Sequence, residues 1–268
     1  MSDRNPNHAS ALNSLDGPTL SPDRLTVRGK DLNDLVGSLS YPAALYHLLT
    51  GELPTPTTAQ AVDAWLLAAM RSITPDHPIA QLVRQSAQLG ATEIGAVLAG
   101  LALGDGLGLL HVAKSAAHGL DTASLDAMGL HAYHAGLYYF AIAPLLHAYA
   151  LEAGNRAEME RRLALLVDPT NDYVGAIYAL VSGQLLPNGA ARAVFNAVLV
   201  AFHAGLGNLA PTIMLPRGAI STRASTAMAL AAGYTAAGPA HVGACKVVMA
   251  TFAEMVNDAP SMEPDDLA

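Results

Sequence analysis

The sequence has few of the residues that stabilise small secreted proteins or bind nucleic acid. Cys245 is the only cysteine among 268 residues, so an intrachain disulfide is excluded and a reducing, cytoplasmic compartment is expected. The 14 Lys and Arg residues are scattered, and 22 Asp and Glu residues give a formal net charge of −8. This pattern is not that of a nucleic-acid-binding protein. The first 20 residues are polar and include Pro6 and Pro18, which argues against a secretory signal.

Aromatic residues make up only 5% of the chain, and the alternation typical of strands is almost absent. Apolar residues make up 52%, with alanine and leucine dominant, which favours an all-α fold with a sizeable core. Residues 94–113 and 135–151 are apolar enough for membrane spans to be an alternative. Asp105, Pro144 and His147 within them favour buried helices of a core without contact with a membrane.

An internal repeat organises the chain. Each half carries a Tyr-x4-Tyr-x4-Gly pattern, at Tyr41, Tyr46 and Gly51 and again at Tyr173, Tyr178 and Gly183. Farther on, Gly100 and Gly104 match Gly233 and Gly238 after a small slip. The alternative is that helices rich in alanine and leucine resemble one another by composition. The shared spacing favours duplication, which predicts a pseudo-symmetric helical bundle.

The pattern predicts one helical domain, 23–256, between flexible tails at 1–22 and 257–268. Within it we expect repeat one at 27–119, connecting helices at 120–167 and repeat two at 168–256. Predicted helices include 42–50, 59–70 and 191–202, and Gly51 is expected to end the first of them in the left-handed conformation. The charged stretch 158–162 is expected to be a solvated helix face.

The start of repeat one carries a family signature. Val27-Arg-Gly-Lys-Asp-Leu32 is followed by Leu39-Ser-Tyr41 and by Leu48-Leu-Thr-Gly-Glu-Leu-Pro54. The series resembles the amino-terminal signature of citrate synthases and, more closely, of short bacterial citryl-CoA lyases. Tyr41 stands where the family pattern has phenylalanine. The resemblance implies a citrate-synthase-like helical bundle, with dimers whose long helices pack across the interface.

Repeat two resembles a second segment of that family, Gly-Pro-Leu-His-Gly-Gly-Ala. Here the segment reads Gly238-Pro-Ala-His-Val-Gly-Ala244. The resemblance implies that His241 hydrogen-bonds a thioester carbonyl and stabilises its enolate. It implies that His203 matches the first of two loop histidines, whereas Leu206 replaces the second, which binds the keto acid in the family.

Further residues complete the predicted site. The catalytic set is completed by His131, in a weak match to a Gly-x-Gly-His element. The substrate-binding candidates are Arg217, Arg223, Asn208 and Ser221. The coenzyme A candidates are Gly238, Gly243 and Lys246. The implied substrates are a coenzyme A thioester and a small carboxylic or keto acid, with no metal and no covalently bound cofactor.

Chemistry alpha to a thioester needs a carbon base, donors for the enolate oxygen and an acid for the partner carbonyl. Histidine suits the donor roles, and a carboxylate is the natural base. The sequence does not identify that base; Asp172 in Asn171-Asp-Tyr173 is the nearest imitation of the family's aspartate motif. The first prediction is therefore an enzyme that forms or cleaves a carbon–carbon bond through a thioester enolate.

The departures from the family pattern leave a second interpretation open. The chain would be a non-catalytic or incomplete citrate-synthase-like subunit that pairs with a complete homologue. Single residues also have structural alternatives. The alternative for His203 and His241 is a packing role without a ligand. The alternative for Arg217 and Arg223 is a solvated helix surface, and Cys245 is expected to be a small buried residue. His131 and His134 are three residues apart, as metal ligands can be, but no third ligand is suggested by spacing.

Overall fold

The structure is a computed structural model that describes residues 19–21, 24–106, 122–203, 210–238, 250–251 and 254. Three short antiparallel strands come first, β1 (Thr19–Ser21), β2 (Arg24–Val27) and β3 (Lys30–Asp31). Residues 19–21 were expected in the flexible tail, and this expectation is corrected because Thr19 pairs with Thr26. A three-residue strand is too short to show a period-2 pattern in sequence.

Helices make up most of the described chain. They are α1 (Leu32–Ser38), α2 (Tyr41–Thr50), α3 (Pro56–Arg71), α4 (Pro78–Gln88), α5 (Glu93–Gly106), α6 (Thr122–Ala127), α7 (His134–Leu151), α8 (Arg156–Leu166), α9 (Tyr173–Ser182), α10 (Ala190–Phe202), α11 (Pro211–Ser221) and α12 (Thr226–Thr235). A short 3-10 helix, His131–Tyr133, precedes α7. The predicted all-α fold is confirmed, and the three predicted helices 42–50, 59–70 and 191–202 lie within α2, α3 and α10.

Local chemistry sets the helix ends. Side-chain oxygens of Asp31, Thr55 and Ser225 accept a hydrogen bond from a backbone N–H in the first turn of the helix that follows each of them. Gly51 and Gly183 end α2 and α9 with φ of 81° and 69°. These left-handed values are strained for residues with a Cβ. The predicted role of Gly51 is confirmed, and Gly183, its equivalent in repeat two, ends α9 in the same way.

Helix α7 forms the centre of the core. It packs against α3, α4, α5 and α9, and most of its side chains are buried, Tyr149 completely. Its polar Tyr149 hydroxyl donates to the carbonyl of Ile73. A helix that is apolar on every side needs neighbours on every side, and α7 has them. No helix in the described part of the chain is long and apolar enough to cross a membrane.

The repeat seen in sequence is matched by the helices. Pro78 starts α4 and Pro211 starts α11, an offset of 133, and both helices have 11 residues. A Cβ on Gly100 would lie 2.6 Å from Val83 Cγ2, and one on Gly233 would lie 2.8 Å from Pro216 Cγ. Val83 and Pro216 are themselves equivalent at the same offset. Each glycine thus permits the same close approach of α4 to α5 and of α11 to α12.

The charged stretch 158–162 is not a purely solvated face, so that expectation is corrected. Arg162, whose side chain is only 11% exposed, pairs with Glu152 at 2.8 Å and with Glu158 at 2.7 Å. Its guanidinium also donates to the carbonyls of Leu180 and Val181 in the last turn of α9. The last carbonyls of a helix have no partners within the helix, and a cation there also complements the helix dipole. Arg162 therefore stabilises the packing of α8 against α9.

Candidate active site

The amino-terminal signature has a structural function in the described chain. Arg28 Nε donates to the Leu48 carbonyl at 2.8 Å, and Nη2 donates to the Leu49 carbonyl at 3.1 Å. These contacts cap the carboxyl end of α2. Gly29 follows with φ of 78°, and Asp31 caps α1. The motif is thus a turn that joins the small sheet to α1 and α2.

His203 lies at the end of α10, half-buried and close to His47 of α2. Its Nδ1 contacts the Val200 carbonyl, and its buried Nε2 has no hydrogen-bond partner among the described residues. Burial is the main cause that lowers the pKa of His203, and His47 adds to it. A carbonyl only accepts, so Nδ1 carries the proton in the neutral ring. Nε2 of neutral His203 is therefore an acceptor of a hydrogen bond or of a proton.

The hairpin of α11 and α12 separates two of the predicted substrate residues from the coenzyme A candidate Gly238. Gly233 of α12 lies against Thr212 and Pro216 of α11, so the two helices run antiparallel. Ser221 and Arg223 are at the turn between them, whereas Gly238 follows the far end of α12. Ten residues of helix span about 15 Å. The structure therefore separates Ser221 and Arg223 from Gly238 within one chain.

The two predicted arginines on this hairpin are exposed. Arg217 is exposed on α11. Arg223 lies in the turn after α11 and has a left-handed backbone conformation with φ of 65°. Neither side chain has a hydrogen bond or ion pair with the described residues. Ser221 is also exposed, and its hydroxyl donates to the Gly218 carbonyl at 2.7 Å. Both guanidinium groups are available to a ligand or a partner chain.

The histidine pair around residue 131 divides into two different environments. His131 is exposed and contacts Asp126 at 2.9 Å. His134 is buried with its ring edge-on to Trp65, the ring centroids 5.9 Å apart. No group of three or more potential metal ligands comes together in the described parts of the chain. The predicted site residues Asn208, His241, Gly243 and Lys246 lie outside the described residues, as does Cys245.

A groove of about 610 Å³ opens between the two halves of the chain. The amino-terminal halves of α2, α3, α9 and α10 surround it. Asp63 and Arg192 are among the residues that line it. Arg192 Nη1 donates to Asp172 Oδ2 at 2.6 Å, and Asp172 Oδ1 caps α9 through the Gly175 N–H. Asp172 is the sequence candidate for the catalytic aspartate. In the structure its side chain caps the amino end of α9 and forms an ion pair with Arg192.

Asp63 is the unusual carboxylate of the groove. It is half-buried, and Oδ1 accepts a hydrogen bond from the Tyr173 N–H at 3.1 Å. Burial, with a smaller effect from the negative charge of Asp172, raises the pKa of Asp63 from 3.8 to about 6. The Tyr173 N–H and the charge of Arg192 oppose this shift. Sequence reasoning did not single out Asp63, because nothing in its own helix marks it as different from a solvated residue.

A second polar cluster joins three helices in the core. His147 Nδ1 of α7 contacts Glu93 Oε1 of α5 at 2.7 Å, and its Nε2 contacts the Tyr234 hydroxyl of α12 at 3.1 Å. In a neutral His147 ring whose Nδ1–H donates to Glu93, Nε2 accepts from the Tyr234 hydroxyl. Burial raises the pKa of Tyr234 to about 12, which keeps that hydroxyl protonated. The cluster ties the end of α12, four residues before Gly238, to the core.

Comparisons with known proteins agree on one family. The family described as "Citrate synthase, C-terminal domain" matches residues 6–266. Among solved structures, citrate synthase from Pyrobaculum aerophilum matches with a TM-score of 0.62 and 18% identity. The match covers 90% of this chain and 57% of that one, so the chain spans little more than half the length of that enzyme. No curated protein sequence matches. Because the family match extends over nearly all of its residues, the chain belongs to the citrate synthase family.

Proposed function

We propose that the chain forms or cleaves a carbon–carbon bond alpha to a coenzyme A thioester, with an enolate intermediate. The observation that carries the proposal is the extent of the family match, residues 6–266, which includes both His203 and the segment 238–244. A base removes a proton from the alpha carbon, and the resulting enolate adds to the carbonyl of a small acid. Cleavage is the reverse. The thioester is a substrate, and no metal or covalently bound cofactor is needed.

His241 is assigned to the enolate oxygen, because a neutral imidazole donates one well-placed hydrogen bond. His203 is assigned to the proton-accepting side of the reaction. Its Nδ1 faces the Val200 carbonyl and its lowered pKa favours the neutral ring, so Nε2 accepts. Recognition of the acid's carboxylate by His203 would require Nε2 to donate and hence a protonated ring. We therefore assign the carboxylate to Arg217, with Asn208 as a neighbour in the preceding segment.

Coenzyme A is assigned to Gly238, Gly243 and Lys246, where glycines allow close approach and the lysine offers a cation to phosphate. Arg223 and Ser221 lie about 15 Å from Gly238 along α12. That distance suits the far end of an extended coenzyme A molecule, or a site of the partner subunit, better than the small acid. His131, which is exposed beside Asp126, remains a candidate for donating a proton to the carbonyl of the small acid.

A dimer with a second copy, or with a citrate-synthase-like homologue, is part of this proposal. On α10, Val194, Val198 and Phe202 are spaced by four residues and are 63%, 45% and 78% exposed. Residues at this spacing share one helix face. An apolar stripe on a helix is a favourable surface for packing against another helix. We propose the cytoplasm as the compartment.

The second candidate function is an incomplete subunit that acts only with a complete homologue. Two observations favour it. Leu206 occupies the position of the histidine that binds the keto acid in the family, and Asp172 is engaged in a helix cap and an ion pair. In that case the homologue supplies the carbon base and the keto-acid ligands.

Calorimetric titration with coenzyme A and acetyl-CoA tests the proposal. We expect micromolar binding that weakens at least tenfold in His241→Ala for acetyl-CoA. Lys246→Ala is expected to weaken binding of both ligands. Lys30→Ala is the matched control, since Lys30 is exposed on β3 and is expected to leave binding unchanged. If the folded protein binds neither ligand, the incomplete-subunit proposal replaces this one, and co-purification with a citrate-synthase-like homologue is the next test.

A further inference from the structure

The groove between the two halves is lined by pairs of equivalent positions. At offsets of 132 or 133 residues the pairs are Ser40 with Asp172, Pro42 with Val174, Ala59 with Arg192, Gln60 with Ala193, and Asp63 with Asn196. The equivalent Tyr41 and Tyr173 stack close by with centroids 6.4 Å apart and planes 8° apart. The pairs share a backbone framework but differ in charge. All three charged residues, Asp63, Asp172 and Arg192, have a neutral counterpart.

The neutral counterparts show what the fold itself requires. Asn196 Oδ1 accepts from the Tyr41 N–H at 2.8 Å, just as Asp63 Oδ1 accepts from the Tyr173 N–H at 3.1 Å. Both bonds satisfy the first N–H of a helix, and the amide oxygen of Asn196 shows that a neutral acceptor is sufficient at this position. The framework therefore needs an acceptor at position 63 but does not need a negative charge there.

That charge is also unfavourable in the absence of a ligand. Asp63 is half-buried, and Asp172 repels it. The guanidinium of Arg192 is bonded to Asp172, and no cation of the described residues forms an ion pair with Asp63. Asp63 from α3, Asp172 from α9 and Arg192 from α10 are the charged groups in the groove, and α2 contributes none. Their sum is one negative charge when Asp63 is ionised.

We propose that this groove is a binding site for a small organic ammonium ion, with Asp63 as its counter-ion. An ammonium group supplies the hydrogen-bonded positive charge that Asp63 lacks. Pro42, Val174 and Ala59 provide apolar wall for an aliphatic body. Arg192 has Nε and Nη2 without hydrogen bonds to described residues, so it is placed to hold a carboxylate if the ligand is an amino acid. The site is independent of the proposed acyl-CoA chemistry.

Calorimetry with three aliphatic probes tests the ammonium site. The probes are 1,5-diaminopentane, L-lysine and hexanoate, at pH 7.5 and pH 5.0. We expect the two ammonium compounds to bind and hexanoate not to bind. Binding is expected to weaken about tenfold at pH 5.0, because roughly a tenth of a carboxyl with a pKa near 6 is ionised there. If L-lysine binds more tightly than the diamine, and Arg192→Ala removes that difference, then Arg192 binds the carboxylate of L-lysine. That result identifies an amino acid as the ligand type.

Asp63→Asn is the decisive variant, because it reproduces the residue of the equivalent position and retains the acceptor for the Tyr173 N–H. It is expected to abolish ammonium binding while acetyl-CoA binding is unchanged. Asp34→Asn, at an exposed carboxylate of α1, is the control and is expected to bind normally. The proposal is overturned if neither ammonium compound binds at millimolar concentration, if hexanoate binds instead, or if Asp63→Asn binds as the parent protein does.

Discussion

Replacing Asp63 with asparagine is expected to stabilise the fold at neutral pH. The pKa of Asp63 is raised from 3.8 to about 6, chiefly by burial. The folded state therefore holds a proton that the unfolded state releases, and the parent protein loses stability as pH rises through the interval from about 4 to 6. A shift of about two units corresponds to about 3 kcal/mol, which partial exposure reduces to about 2 kcal/mol at pH 7.5. Asparagine carries no charge and avoids this loss.

Urea unfolding of Asp63→Asn and the parent protein between pH 4 and pH 8 measures the effect. The variant is expected to be about 2 kcal/mol more stable at pH 7.5, with the difference nearly gone at pH 4. Asp34→Asn is the control, and its stability is expected to stay within about 0.5 kcal/mol of the parent at every pH. An Asp63→Asn variant that is less stable at pH 7.5, or a difference that does not change with pH, refutes the reasoning.

Three further predictions concern packing and polar contacts, each checked by the free energy of unfolding. Gly233→Ala is expected to lose about 1–3 kcal/mol, because its Cβ would lie 2.9 Å from a backbone oxygen of α11; an unchanged value contradicts the close approach. Arg162→Ala is expected to lose about 2 kcal/mol or more. Arg156→Ala is the control and is expected to lose much less, because the Arg156 side chain is 83% exposed in its ion pair with Glu160. Tyr234→Phe is expected to lower the free energy of unfolding by about 1 kcal/mol, because it removes the hydroxyl that is hydrogen-bonded to His147. A variant more stable than the parent protein would contradict that hydrogen bond.

Features that depend on local spacing were predicted from the sequence. The helices around the two Tyr-x4-Tyr-x4-Gly patterns and the left-handed Gly51 were expected and observed, and Gly183 repeats the conformation of Gly51. The match of Gly100 with Gly233 was also expected, and both glycines occupy close helix contacts. Such features are encoded within about ten residues by side-chain period and by the conformational freedom of glycine. The repeat boundaries remain a prediction.

Features that depend on distant partners were not predicted. Asp63 contacts Tyr173 across 110 positions, and His147 contacts Glu93 and Tyr234 on two other helices. Arg162 was expected at a solvated surface because its own helix is highly charged, and its burial against α9 is set by packing. One available signal was missed. The repeat aligns Asp63 with Asn196, and that change of charge in an otherwise similar position marks Asp63.

Exchange of the acetyl-CoA methyl protons with solvent is the most direct test of the proposed chemistry. The protein is incubated with acetyl-CoA in D₂O, with and without a keto acid such as oxaloacetate, and the methyl signal is followed by NMR. The enolate account predicts catalysed deuterium incorporation that is lost in His241→Ala and retained in Lys30→Ala. Bound acetyl-CoA whose methyl protons do not exchange under any of these conditions would contradict enolate formation by this chain.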